Sequence, residues 1–310
     1  MASIEKSLVA ARAEALASYS PYTYLRTLSL VEQQKLFGSG LAASFGQVEH
    51  QAIATHGDAQ FLYTYLPWDS AFFQAPVYRL FTILFDASTP ILALATAVEA
   101  FCLDLKQRGA RYIYVDLPIE DTRLTQALGI AGWGTVETRL HFYYDQLDSL
   151  SLPRYAVRNA MVTEAEHIGR IAAKARNNYD RFHADAWFSL EQADAFLYRY
   201  ASEAVKGYCD AVLVPAESNL PVDSFLAITD QLPHMQTLGF QASRITLTAV
   251  GPLNRGWHYK LVSETLHRAR EAQHQYVLMT TQATNRAVFR TCEKLGFRLG
   301  SCSHILSRSF

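Results

Sequence analysis

Apolar positions along the chain switch between a helical period and a period of two, and the switches mark out its elements. Ile4, Leu8, Ala11 and Ala15 fall on one side of a short amphipathic helix over 2–18. A second helical pattern runs over 29–53, interrupted near Gly38 and Gly40. Amphipathic faces are packing faces, so these helices read as a cap or a dimer surface. Residues 61–66 read as a strand. Trp68, Asp69, Phe72 and Phe73 follow in a loop between two strands, either as core plugs or as a ligand platform. Next come a helix over 90–109, a strand at 112–116, a helix at 121–131 and a long strand at 136–144. A Ser-rich stretch with Pro153, over 148–155, reads as a linker. It divides the 310 residues into domains 1–150 and 151–310.

The second domain opens with a strand at 156–161. A helix follows, started by Thr163-Glu164-Ala165-Glu166 as a capping box and carrying Ile168, Ile171, Ala172 and Ala175 on one face. Ser189 reads as the N-cap of the next helix, with Ala193, Phe196, Leu197 and Tyr200. Strands at 211–214 and 224–229 precede an irregular stretch at Pro233. Then Ile245, Leu247 and Ala249 alternate with Thr246, Thr248 and Val250, until Gly251 and Pro252 break the strand. Trp257, Leu261, Val262 and Leu266 follow a helical period, residues 276–280 a strand, and a short helix ends at Gly296-Phe297. The end of the first domain matches the end of the second at an ungapped offset of 164 residues: Tyr112 with Tyr276, Asp121 with Asn285, Leu124 with Val288, and Gly132-Trp133 with Gly296-Phe297. This is an internal repeat of a strand-helix-strand unit.

Val250, Pro252, Arg255 and Gly256, followed by Asn285, Ala287, Glu293, Lys294, Leu295, Gly296 and Phe297, resemble the GNAT acetyltransferase family over roughly the last 150 residues. The resemblance implies an α/β (α+β) fold, with a C-terminal GNAT domain preceded by a partial GNAT-like half-domain and extra helices. It also implies acetyl-CoA as co-substrate. Backbone N–H groups of Leu253, Asn254, Arg255, Gly256, Trp257, His258 and Tyr259 would curl around the diphosphate at a helix start. Thr248, Ala249 and Val250 would flank the pantetheine arm, parted from 276–280 by a bulge, with Asn285 on the cofactor side. A backbone N–H near Val250 would meet the thioester oxygen. In the first half Asp86-Ala87-Ser88-Thr89-Pro90 stands where a phosphate loop would be. Its acidic residue argues against cofactor there.

Two positions depart from the family pattern. His258 stands where Gly or Ala is usual. It would crowd the diphosphate, pair with it if cationic, or point away. Cys292 replaces the Tyr that commonly serves as acid for the leaving thiolate, and is either a weak acid or a buried structural thiol. The loop holding Asn177, Tyr179, Arg181, Phe182, His183 and Asp185 lies where the family builds its acceptor side. By location His183 and Asp185 are the candidate bases. Tyr179, Arg181 and Phe182 are candidate acceptor contacts, against the alternative of a solvated turn anchored by Phe182. This loop and the L-x-W-D-x-x-F-F stretch at Trp68, Asp69, Phe72 and Phe73 resemble the TDP-fucosamine acetyltransferase type of that family.

The acceptor so implied is a small polar primary amine, in particular a nucleotide-linked amino sugar. The alternative is a non-catalytic acyl-CoA-binding relative that lost turnover through His258 and Cys292. Charge narrows the partners further. Twenty-eight basic against 29 acidic residues give a net −1, with no electrostatic reason to expect nucleic acid or an anionic membrane. Cys102, Cys209, Cys292 and Cys302 have no metal-site spacing and read as free thiols in a reducing compartment. No metal is expected. The N-terminus lacks an apolar signal core and no stretch reaches the ~18 apolar residues of a membrane span, so a cytoplasmic protein is expected, with the N-terminal helices as a possible homodimer surface.

Overall fold

A computed structural model describes residues 3–310, so Ala2 of the expected first helix lies outside the described residues. Eleven strands are formed: β1 Gln51–His56, β2 Ala59–Tyr65, β3 Val77–Leu84, β4 Tyr112–Pro118, β5 Gly134–Tyr144, β6 Val157–Asn159, β7 Ala211–Pro215, β8 Ser224–Thr229, β9 Ala242–Val250, β10 Tyr276–Gln282 and β11 Arg298–Ser309. Two compact units hold them. One is Met1–Thr138 with Ser301–Phe310, and the other is Arg139–Gly300. In the first unit the order is β1-β2-β3-β4-β11, with β3 and β4 parallel and the other pairs antiparallel. In the second it is β5-β10-β9-β8-β7-β6, with β9 and β10 parallel.

Alternation sorts the second sheet's side chains onto two faces. Val212, Val214, Phe225 and Ala227 pack against Ile168, Ile171, Ala172 and Ala201 of helices Ala165–Lys174 and Leu190–Glu203. Their neighbours Ala211, Leu213, Leu226 and Ile228 pack against Leu261, Val262 and Leu266 of helix Trp257–Glu271 and Cys292 and Leu295 of helix Arg286–Leu295. Core strands thus read as continuous apolar runs because both faces are covered.

Several expectations are corrected. Helices end at Ala43, and Gln51 to Ile53 belong to β1, where Ile53 pairs with Leu62 across a hairpin. Trp68, Asp69, Phe72 and Phe73 lie on a helix, Pro67–Phe73, started by proline at its first turn rather than in a loop. The helix Ala165–Lys174 is entered through a short 3₁₀ turn in which Glu164, not Thr163, accepts the Met161 N–H (2.8 Å) and pairs with Arg158. The stretch 148–155 lies within the second unit and is fastened to helix Trp257–Glu271. The Leu152 carbonyl accepts from His267, Pro153 from Ser263, and Arg154 pairs with Glu264 and Glu271. Each unit's sheet is closed by a strand from the far side of a domain boundary at 150. Residues Arg139 to Tyr144 pair with β10, and Ser303 to Ser309 pair with β4.

The 164-residue repeat is present in three dimensions. Strands β4 and β10, and then β5 and β11, start at matching positions. Asp121 caps one helix by accepting the Leu124 N–H, and Asn285 caps its counterpart by accepting the Val288 N–H. Gly132 and Gly296 both stop the helix with positive φ. Both parallel pairs also stop short. Strand β3 leaves β4 after Leu80/Val115, and β9 leaves β10 after Ile245/Met279.

In the first unit that parting is filled from within. The helices Lys6–Ala11 and Ala13–Leu16 lay Leu8, Val9 and Leu16 against Leu62 and Leu84, with Arg12 on the same buried side and Ala11 exposed. The Arg12 guanidinium donates from Nε to the Ile83 carbonyl (3.2 Å), past the last β3/β4 rung, and pairs with the Asp121 carboxylate. Tyr19 donates to the same carboxylate (2.6 Å) and meets Thr82 (2.9 Å). Burial and the Asp121 charge hold its hydroxyl well above the ordinary pKa. Arg123 donates to the carbonyls of Ala87 and Thr89 in the loop that follows β3. The first half is therefore closed by its own guanidinium and phenol groups, a stronger obstacle to a ligand than the exposed Asp86.

Removing one partner of a buried pair leaves the other charge uncompensated. Arg12→Met is expected to cost about 3–5 kcal/mol of unfolding free energy. Adding Asp121→Asn, which keeps a capping side chain as Asn285 does, is expected to restore most of it. Urea denaturation of the two variants checks this, and equal losses would contradict it.

Candidate functional site

The site assembles where β9 parts from β10 in the second unit. A local irregularity accompanies the parting of the strands. Strand β9 carries one extra residue against β8, because Ala227 faces Leu247 while Ile228 faces Ile245, leaving Thr246 as the bulge. Its hydroxyl is held by the Ala227 carbonyl (3.2 Å) and lies 3.5 Å from the Cys209 sulfur. Past the bulge, Leu247 to Val250 stay paired with β8 only, so one edge of this stretch has no strand beside it. Thr248 donates its hydroxyl to the Phe225 carbonyl (3.0 Å), and Ala249 is buried in the core. Burial pushes the Tyr200 hydroxyl up to about 12.

Past Val250 the chain makes a 3₁₀ turn, Pro252–Asn254, and enters helix Trp257–Glu271. Gly256 precedes the helix with φ +90°, a conformation that needs glycine, and a Cβ there would meet open space. No side chain caps this helix, so its first-turn N–H groups face outward at the positive end of the dipole. Arg255 and Gly256 are exposed, and Leu253 is 65% exposed. Trp257 is buried beneath Lys260, and Tyr259 packs on Tyr155.

The side chain of Asn254 is turned inward. It accepts from the Asp223 N–H (3.0 Å) and the Ser224 hydroxyl (2.8 Å) and donates to the Pro221 carbonyl, so it anchors the loop. Asn285, as noted, caps the next helix.

Of the two unusual residues Cys292 is fully buried, while His258 is half-buried with its ring nitrogen Nε2 shielded from solvent. His258 turns its ring to helix Arg286–Leu295, with Nδ1 at 3.1 Å from the Thr291 hydroxyl. Its Nε2 is buried with no hydrogen-bond partner among the described residues. Desolvation lowers its pKa to about 4, so at neutral pH the ring is uncharged. The Cys292 thiol is fully buried in the core and pushed up to about 12 by desolvation, so it is a poor proton donor to a thiolate.

The expected acceptor loop forms a short helix, Arg181–Ala184, capped by Asp180. The His183 ring is fully buried, with Nδ1 at 2.7 Å from Asp180 and Nε2 at 3.2 Å from Asp194, a carboxylate that also pairs with Arg176. Both ring nitrogens are engaged, so His183 acts as a brace for the loop and not as an open base. Asp185 accepts the Trp187 N–H (3.0 Å) and is nearly buried. Phe182 packs between Phe188 and Phe196 with the Arg181 guanidinium on its face, the anchoring role, while Tyr179 is 59% exposed. Asn177 reaches across to Gln282 at the parted end of β10 (2.7 Å). In the first unit Trp68 stacks on Phe72, Phe72 meets Phe73 edge-on, and Phe73 is buried. Among the described residues no group of three or more His, Cys, Asp or Glu could hold a metal ion, and no helix is long and apolar enough to cross a membrane.

Sequence reasoning missed Thr246 as the bulge, Asp223 under the loop, and Asn177 at the end of β10. A bulge leaves no signature in a strand that alternates throughout. Asp223 lies between the strands expected at 211–214 and 224–229, where nothing local marks it as a partner of the later loop.

Burial of His258 has a pH consequence. Between its folded pKa of about 4 and the ordinary 6.5, the unfolded chain holds a proton there that the folded chain does not. Stability therefore falls as pH drops through this window, by on the order of 3 kcal/mol from this residue. The wild-type minus His258→Gln difference in unfolding free energy is expected to move against the wild type between pH 7 and pH 4.5. A difference independent of pH would show that the ring is charged or solvated.

No protein-family model matches the sequence, and no curated protein matches it. Solved structures do. A GCN5-related N-acetyltransferase from Sphaerobacter thermophilus aligns with a TM-score of 0.55 at 9% identity, over 99% of this chain and 94% of that one. A functionally unknown conserved protein from Staphylococcus epidermidis aligns at 0.51 and 13%, over 84% and 94%. A GCN5-related N-acetyltransferase from Kribbella flavida aligns at 0.49 and 12%, over 99% and 96%. At such identities the likeness is one of fold: the chain has the mixed α/β architecture of a GCN5-related N-acetyltransferase structure over nearly its whole length.

Proposed function

We propose that this protein is an acetyl-CoA-dependent N-acetyltransferase acting on the primary amine of a small polar acceptor. The observation that carries the reading is the parting of β9 from β10 at a bulge, next to an uncapped helix start. A parted strand offers backbone N–H and C=O groups to an extended amide-bearing arm, as a sheet edge does to a peptide. The uncapped helix start, entered through Gly256, suits a diphosphate. These features fit acetyl-CoA, whose contribution would be an acetyl group activated as a thioester. Thr248, Ala249 and Val250 would flank its arm, with the N–H groups of Arg255 to Tyr259 at the diphosphate. Leu253 and Asn254, expected there too, are withdrawn, because their N–H groups already donate to the Asp223 carboxylate (2.8 Å) and the Gly251 carbonyl (3.1 Å). The first unit, closed by Arg12 and Tyr19, supports one acetyl-CoA per chain. The stretch at Trp68 to Phe73 and the loop at Tyr179 to Asp185, through their resemblance to the TDP-fucosamine type, support a nucleotide-linked amino sugar as acceptor.

A second reading has an observation of its own. Cys292 is buried with its thiol pushed up to about 12, and His183 has both nitrogens engaged. Two of the three expected acid–base groups are thus withdrawn from chemistry, which favours an acyl-CoA-binding protein without turnover.

Calorimetry with acetyl-CoA and a thiol-release assay on amino-sugar nucleotides separate the readings. One site per chain with thiol release supports the transferase. Binding without release from any acceptor supports the second reading, and no binding defeats both. Gly256→Ala forces an L residue to positive φ at the helix entrance and is expected to weaken acetyl-CoA binding about tenfold or more. Gly57→Ala, also at a positive φ but in the β1–β2 turn, is expected to leave it unchanged. Cys292→Ala is expected to change turnover by less than about tenfold, whereas loss of a working general acid costs about a hundredfold or more.

A further inference from the structure

The second unit contains a cavity of about 260 Å³ beside the loop that leaves β9. One wall is Val250, Gly251 and Pro252. The other is helix Ala165–Lys174, which presents His167, Arg170 and Lys174 at helical spacing. Asp223 borders the loop side. The three basic residues differ in what already holds them. His167 donates from Nε2 to the Val222 carbonyl (2.6 Å) and is committed to that bond. Arg170 has a carboxylate only at 3.8 Å, the exposed Glu166 on its own helix, a pairing of little strength. Lys174 pairs with no carboxylate among the described residues.

The opposite wall already holds an anion. The Asp223 carboxylate accepts the Leu253 N–H (2.8 Å) and lies so close to Gly251 that a Cβ there would come within 2.3 Å of its oxygens. Loop N–H groups therefore draw negative charge to this wall, and a single carboxylate faces two cations. The volume is below the ~300–1,000 Å³ of pockets that enclose a whole small ligand, so it admits an end group. The Gly251 N–H is already donated to the Asp223 carbonyl (2.6 Å) and Pro252 has none, so a phosphoryl group here would be held by the basic side chains of the helix wall.

We propose that Arg170 and Lys174 form a phosphoryl-binding subsite beside residues 250–252. It rests on the reading of the loop as the cofactor's diphosphate site and adds a side-chain wall to it. The phosphoryl group belongs either to the coenzyme or to a nucleotide-linked acceptor, and the chemistry of recognition is the same.

Calorimetry on the full chain tests this with inorganic pyrophosphate, CoA, pantetheine and uridine diphosphate, comparing wild type with R170Q/K174Q. Both positions are exposed on a helix, so the variant is expected to fold, and a thermal melt checks it. Pyrophosphate affinity is expected to fall about tenfold or more in the variant, with pantetheine unaffected. Whichever of CoA and uridine diphosphate falls with it is the source of the phosphoryl group. D223N, which keeps an acceptor for the Leu253 N–H but removes the charge, is expected to bind pyrophosphate more tightly. Equal CoA and pyrophosphate binding by wild type and R170Q/K174Q would overturn the subsite while leaving the cofactor reading intact. Pyrophosphate binding lost in the variant, with no CoA binding by either protein, would uphold the subsite and defeat the cofactor reading. No pyrophosphate binding by the wild type, or weaker binding by D223N, would overturn the proposal.

Discussion

Everything proposed for the second unit depends on two parallel strands that stop pairing. Backbone N–H and C=O groups inside a protein must find partners, so a strand edge exposed within a sheet is costly unless something fills it. Here the parting is built in. The extra residue at Thr246 shifts the register on the β8 side, and the hydrogen bond from Thr246 to Ala227 fixes the bulge. Past Ile245 the β9 chain can no longer follow β10. The cost of the unpaired edge is borne by a tightly packed remainder, with Leu226, Ile228, Ile245, Val277 and Met279 in one core.

The repeat makes the first unit a natural control. Strands β3 and β4 part after the same kind of parallel start, and the helix beyond them is capped at the matching position. There the exposed edge is answered by the protein itself: Arg12 takes the Ile83 carbonyl and holds Asp121, and Tyr19 completes the seal. In the second unit Asn285 stands where Asp121 does. An uncharged cap needs no buried guanidinium beside it. At this capping position the two copies differ, with an acid paired to Arg12 in the first and an amide in the second.

Much of this was legible in the chain, for physical reasons that can be named. Glycine and proline punctuate, so Gly251, Pro252, Gly256 and Gly296 placed the loop and the helix ends closely. Caps are local, so Ser189 was legible, whereas Thr163 misled because Glu164 had a better partner in Arg158. What was not legible is non-local. Strand β1 looked helical because Ile53 lacks an alternating neighbour of its own, and only pairing with Leu62 makes it a strand. Strands β5 and β11 carry the same repeat pattern, so nothing in either one says which of β4 and β10 it will join. Arg12 and Ala11 differ by one step around a short helix, and the buried partner Asp121 decides which faces inward. His258 and Cys292 were visible as oddities, but their charge states follow from burial, which a sequence does not display.

The direction of those charge shifts bears on how such a site could work. Burial drives His258, Cys292 and Tyr200 all toward their neutral forms, with pKa values of about 4, 12 and 12. None of the three changes charge near neutral pH. His183 is held between two carboxylates and Asp185 is occupied by a backbone N–H. A transferase built on this framework would draw little on a dedicated acid and base. Its contribution would be orientation, with the thioester fixed along β9 and the amine brought to it, which by itself is worth a large share of a barrier. The acceptor's ammonium would then lose its proton to water, and the reaction would quicken with pH as the fraction of free amine rises. In such a framework the residue at 292 packs the core, with burial holding its thiol neutral.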